Sequence, residues 1–220
     1  MLELLRLISI PGAIMCVLFF LLAVKKKSDK PYRWLIIGAA LVVLGVAVII
    51  INNVRINGNK KALESSRVVT KALEDATPLL LSNDLSFKYQ NEGQTIKEPY
   101  VLVPIDRDSK WQDGTKYYKI IDGDSCWSGG QFISAEQADQ CKTVIFYETF
   151  VLEMPYQSTD GSKTTGKSES KSVYLYDVET ASLFGYNRFG THLPSITRGT
   201  PNLQVSTQTI LDWIKEEMSK

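Results

Sequence analysis

Histidine occurs once in this 220-residue chain, at His192, and cysteine three times, at Cys16, Cys126 and Cys141. One imidazole cannot build a histidine-rich metal centre. To serve as a general base it needs a nucleophile and an orienting carboxylate beside it, and the run Gly190, Thr191, His192, Leu193, Pro194 supplies neither. Cys126 and His192 form a formal nucleophile and base, but the sulfur has a better use. Cys126 and Cys141 are the two cysteines beyond the first quarter of the chain, and Ser125, Ser128, Gly129 and Gly130 lie around the first of them. The spacing predicts a Cys126–Cys141 disulfide in an oxidising compartment, closing a loop worth roughly 3 kcal/mol in the chain-entropy account.

Clustered carboxylates offer little more. Asp106, Asp108 and Asp113 invite a calcium reading, but Arg107 and Lys110 intrude and no glutamate stands at the closing position of the loop. Asp122 and Asp124 beside Gly123 read as turn residues. No phosphate-cradling glycine motif occurs. The expectation is therefore no metal, no cofactor and no catalytic residue. The alternative is a hydrolase whose carboxylate, serine or His192-based site forms only on folding.

The aromatic side chains Tyr174, Tyr176, Phe184, Tyr186 and Phe189 crowd one stretch. On strands they alternate between faces, so some must point away from a core built on one side. They are the predicted surface for binding a partner or ligand. The function read from this pattern is that of an accessory or interaction protein.

Two apolar runs precede everything that could carry this chemistry. Leu7 to Val24 is apolar apart from Ser9, and Trp34 to Ile51 has no polar group beyond the indole. About 18 residues at about 1.5 Å each approach the roughly 30 Å hydrocarbon core. The sequence thus predicts a transmembrane hairpin over residues 1–54, with helices at about 7–24 and 34–54 and a loop at 25–33. Lys25, Lys26, Lys27, Lys30 and Arg33 crowd that loop and predict that it is cytoplasmic. A multi-pass protein of the plasma (inner) membrane with an extracytoplasmic C-terminal domain follows. Its expected partners are the lipid bilayer and another membrane or envelope protein. Nucleic acid is not expected, because 19 basic residues face 22 acidic ones from Arg55 onward with no basic stripe.

Behind the hairpin the chain reads as a juxtamembrane helix and linker over 55–82 and one α+β domain over 83–220. Leu63, Val69, Ala72, Leu73 and Ala76 recur at helical spacing, and Pro78 is expected to stop that helix. Strands are predicted at Tyr100 to Ile105, Lys116 to Ile121, Thr143 to Met154, Ser172 to Asp177 and Ser182 to Tyr186. Short connections favour antiparallel pairing. The polar stretch 157–171 reads as a mobile loop. Thr207 to Met218 carries Ile210, Leu211, Ile214 and Met218 on one face, behind Ser206 or Thr207 as N-cap.

Overall fold

The structure is a computed structural model that describes residues 32–82, 94–112, 115–157, 161, 163–191 and 202–219. Among the described residues four helices and seven strands follow one another as α1 (Tyr32–Ser65), α2 (Arg67–Ser82), β1 (Tyr100–Gln112), β2 (Thr115–Ile120), β3 (Cys126–Trp127), α3 (Ala135–Ala138), β4 (Thr143–Gln157), β5 (Lys163–Asp177), β6 (Ser182–Gly190), β7 (Asn202–Leu203) and α4 (Thr207–Met218). The chain divides into two units, Met1–Asn57 and Gly58–Lys220.

In the first unit the expected membrane hairpin is corrected. Among the described residues no helix is long and apolar enough to cross a membrane. The second apolar run does not end near 54 as a separate span. It opens a 34-residue helix that continues through Asn52, Asn53, Arg55, Asn57, Asn59, Lys60 and Lys61. The first run, Leu7 to Val24, lies outside the described residues, as does the loop at 25–33. The integral multi-pass placement and the extracytoplasmic assignment built on the hairpin are withdrawn with it. Ile36, Val43, Ile50 and Val54 of α1 are exposed.

The second unit is a sheet between helices. Strand order is β2, β1, β4, β5, β6, with β3 extending the β2 edge alongside β1 and β7 extending the β6 edge alongside β5. Alternation along each strand makes two apolar faces. Val101, Val103, Val144, Phe146 and Tyr176 face one side, where Val69, Ala72, Leu73, Ala76 and Leu80 of α2 and Leu63 from the end of α1 cover them. Leu102, Ile145, Val173, Leu175 and Phe184 face the other side, covered by Ile210 and Ile214 of α4.

The mixed α+β class agrees with the sequence, but the sheet is not wholly antiparallel. β1 and β4 run parallel from Tyr100↔Thr143 to Ile105↔Glu148. Parallel neighbours need a long crossover, and the chain between them is long enough to form β2, β3 and α3. The polar stretch 157–171 also departs from expectation: Lys163 to Lys171 belongs to β5 and pairs with β4 as far as Gln157↔Lys163. Backbone hydrogen bonds to an adjacent strand hold such a segment without an apolar face of its own.

Local chemistry sets the helix ends. Ser66 separates α1 from α2 and caps the latter, its Oγ accepting from Val69 N at 3.2 Å. The same hydroxyl donates to Asp139 Oδ1 at 2.7 Å, and Val68 N donates to that oxygen at 3.3 Å. Pro78 does not stop α2, which runs to Ser82 with the proline inside. Thr77 Oγ1, just before the proline, donates to Leu73 O at 2.6 Å. α4 begins at Thr207 behind the N-cap Ser206, whose Oγ accepts from Gln208 N.

Candidate functional site

The parallel contact between β1 and β4 ends at Ile105 and Glu148, and beyond it the two strands part. β1 goes on paired with β2, and β4 goes on paired with β5. The carboxyl ends of neighbouring parallel strands are where open sheets commonly leave a crevice for ligands. A cavity of about 330 Å3 opens there, roofed by Leu79 and Leu80 of α2 and floored by Phe150, Tyr174 and Tyr186. Arg107 and Arg188 bring charge to its lining, and Ser172 a hydroxyl.

Alternation places these groups on one face. Arg107 follows Val103 and Ile105 on the α2 side of β1, and Glu148 follows Val144 and Phe146 on the α2 side of β4. Glu148 is 3 % exposed. Arg107 Nε lies 3.2 Å from Glu148 Oε1 and donates to Tyr118 Oη at 2.9 Å. Tyr118 Oη lies 3.4 Å from Glu148 Oε2 and 3.5 Å from Leu80 O, either of which accepts its proton. Burial pushes the Glu148 carboxyl above the ordinary glutamate range, and Arg107 and the Tyr118 hydroxyl hold it down in part. Burial likewise pushes the Tyr118 phenol up, and the Glu148 charge adds to this. The Arg107 cation is disfavoured by burial, but Tyr118 and Glu148 outweigh that cost.

The aromatic floor is shared by three strands. Tyr174 and Tyr186 lie across β5 and β6 with ring centroids 5.3 Å apart and planes tilted by 47°. Tyr186 Oη is 3.4 Å from Ser172 Oγ. Arg188 reaches from β6 over β5 towards β4: its Nη2 donates to Ser170 Oγ at 3.3 Å, and its guanidinium carbon stands 6.0 Å from the Phe150 ring centroid. Arg188 is exposed. Comparison with known proteins finds no match to a family model, a curated protein or a solved structure.

The five aromatic residues singled out by sequence are divided by the sheet. Tyr174 and Tyr186 meet at the cavity. Tyr176 is buried on the same face, with its hydroxyl donating to Asp75 Oδ2 at 2.8 Å. Phe184 is buried on the opposite face, and Phe189 packs edge-on against Trp213 of α4 with centroids 5.8 Å apart. Sequence reasoning passed over Arg107, Tyr118, Glu148 and Arg188. Only Glu148 left a signal, as a carboxylate among apolar residues on one face of a predicted strand.

The disulfide is corrected: Cys126 and Cys141 are both free thiols. They lie on opposite sides of the sheet, Cys141 in the cluster beneath α2 and Cys126 against the cluster beneath α4. Burial raises both, the Cys126 thiol to about 11 and the Cys141 thiol to about 12, which suppresses the nucleophilic thiolate. His192 and Asp113 lie outside the described residues, and no group of three or more metal-ligating side chains occurs among the described ones.

A second feature adjoins the cavity. β4 has fifteen residues, yet β1 borders it only as far as Glu148. From Thr149 onward no strand among the described residues pairs with that side of β4. Val151 and Leu152, neighbours that point to opposite faces, are each 57 % exposed. Pro155 has no N–H to offer, so the edge open to a partner is Thr149 to Met154, where alternate residues turn their backbone N–H and C=O outward.

Proposed function

We propose that this chain is a binding module for another protein, in which an extended segment of the partner adds as a strand along Thr149 to Met154 of β4. The observation that carries this reading is the half-open strand: an edge with exposed Val151 and Leu152 and no covering element among the described residues. Proteins normally blunt such edges with charge, bulges or short strands, because an open edge offers its backbone groups to any extended chain. Strand addition uses that property, with main-chain hydrogen bonds supplying affinity and alternate side chains supplying specificity.

Binding fits the nearby chemistry better than hydrolysis does. The Glu148 carboxylate is already engaged by Arg107 and Tyr118, and Ser172 Oγ is in hydrogen-bond reach of Tyr186 Oη rather than of a base. Neither arrangement is a nucleophile beside its base.

Random-peptide display on the full chain, followed by amide exchange with the enriched peptides, tests this reading. Protection is expected within 149–154, and Val151→Lys with Leu152→Lys should abolish it. Enriched peptides that protect other segments, or that bind the double variant equally well, would refute strand addition.

A further inference from the structure

The cavity where β1 and β4 part is chemically distinct from the strand edge beside it, and its lining selects for charge. Arg107 is matched inside the protein by Glu148, whose two oxygens lie against Arg107 Nε and the Tyr118 hydroxyl. Arg188 adds a second positive charge to the lining, exposed and hydrogen-bonded to a serine hydroxyl, and among the described residues no carboxylate pairs with it. Among the described residues the charged lining is therefore net positive. Its walls mix polar and apolar groups: Phe150, Tyr174 and Tyr186 give flat aromatic surface, and Leu79 closes one side while 37 % exposed itself. A planar guanidinium held beside an aromatic ring is preorganised to grip a carboxylate or phosphate through paired N–H groups.

We infer that this cavity binds an anionic group carried on a flat apolar body, with Arg188 gripping the anion and the Phe150, Tyr174 and Tyr186 rings packing on the body. A volume of about 330 Å3 accommodates a one-ring molecule. Two sources share this chemistry: a free small organic acid, and an acidic side chain beside an apolar one on a bound partner segment. A hydroxyl near the grip, at Ser172 or Tyr186, is placed to donate one further hydrogen bond to the anion.

The test uses phenylacetate as probe on the full chain, with phenylacetamide and phenethylamine as neutral and cationic matches, read by ligand-observed saturation transfer and titration. Phenylacetate should bind and the amine should not. Arg188→Ala should weaken phenylacetate about tenfold or more, as loss of a charge-assisted hydrogen bond does, while Arg188→Lys restores part of the affinity. Arg188 is exposed, so the variant is expected to keep the wild-type melting curve, which separates a lost grip from a lost fold. Equal binding of the acid and the amide, unchanged by Arg188→Ala, would overturn the assignment of an anion site. Failure of all three probes to bind would overturn the cavity as a ligand site. Neither result bears on strand addition, which amide exchange at 149–154 reads separately. Displacement of an enriched peptide by phenylacetate would identify the partner segment as the source of the anion. Independent binding of the two would identify a free acid.

Discussion

Arg107 Nε lies 3.2 Å from Glu148 Oε1 at the point where β1 and β4 diverge, so one guanidinium serves a carboxylate that is only 3 % exposed. Breaking a buried pair by removing one partner is costly because the other charge is left behind. Arg107→Ala should destabilise the chain by about 2–3 kcal/mol at pH 7, below the full cost of a wholly buried pair because the arginine is partly exposed. Adding Glu148→Gln should recover much of that loss. Chemical denaturation of the two single variants and the double one measures the coupling, and a double variant no more stable than Arg107→Ala would show that the pair is not coupled.

The same site has a pH signature. The Glu148 pKa is raised in the folded chain, so the folded state holds its proton up to higher pH than the unfolded chain does. Stability from this group is thus present below the unfolded value near pH 4.3 and declines as pH rises through the folded value. Removing Arg107 raises that value further, so the deficit of Arg107→Ala should shrink between pH 7 and pH 5. A deficit that stays constant or grows on acidification would contradict this.

Asp177 has the opposite sign. Burial pushes its carboxyl up, but Lys97 at 2.8 Å and the amides of Thr180 and Glu179 outweigh burial and hold it below the ordinary aspartate range. Its stabilisation is present above the unfolded value near 3.9 and is lost as pH falls through the lower folded value. Asp177→Asn should cost about 1–3 kcal/mol at pH 7 through the hairpin turn it organises. Thermal melts should bring mutant and parent together in strong acid.

Asn59 joins the end of α1 to the loop before β4. Its Nδ2 donates to Gln131 O at 2.6 Å and Ser125 O at 3.3 Å, and Ile133 N donates to its Oδ1 at 3.1 Å. Asn59→Ala takes these partners from the buried Ser125 O and Ile133 N as well as from Gln131 O and should cost about 2–3 kcal/mol. Amide exchange of Ile133 should accelerate, and an unchanged rate would mean that the loop is held by other contacts.

Gly185 lies opposite Leu175 at the register shift between β5 and β6. A Cβ added there would stand 2.7 Å from Leu175 Cδ1 and 3.3 Å from its Cβ. Gly185→Ala should cost about 1–3 kcal/mol by overpacking, and Leu175→Ala in the same chain should relieve the clash at the expense of a cavity. Equal melting temperatures for parent and Gly185→Ala would show that the strand yields freely.

What was legible in the sequence was local. The period-2 run from Thr143 and the helical spacing of Ile210, Leu211 and Ile214 match β4 and α4, because each element records its own buried face. Long-range facts were hidden. Parallel pairing of β1 with β4 joins residues about forty apart, and nothing in Tyr100 to Ile105 alone says which strand lies beside it. Arg107 read as an intruder in an acidic loop and Glu148 was only one position of a predicted strand, and the sheet alone makes them a pair. The apolar run from Trp34 misled because its composition says nothing of where the helix ends, and α1 carries on through polar residues to Ser65. The cysteine pair misled because spacing along the chain carries no information on which side of a sheet a sulfur lands.

That separation of the two thiols has a use. Cys141 is buried on the α2 side and Cys126 half-buried against the α4 side, and burial raises both thiols above the ordinary cysteine value. Modification of Cys141 must then wait for the α2 side to open, whereas the half-buried Cys126 responds to smaller, local openings on the α4 side. Without any introduced label, the rates at which a thiol reagent reaches Cys126 and Cys141 report separately on the two faces of the sheet.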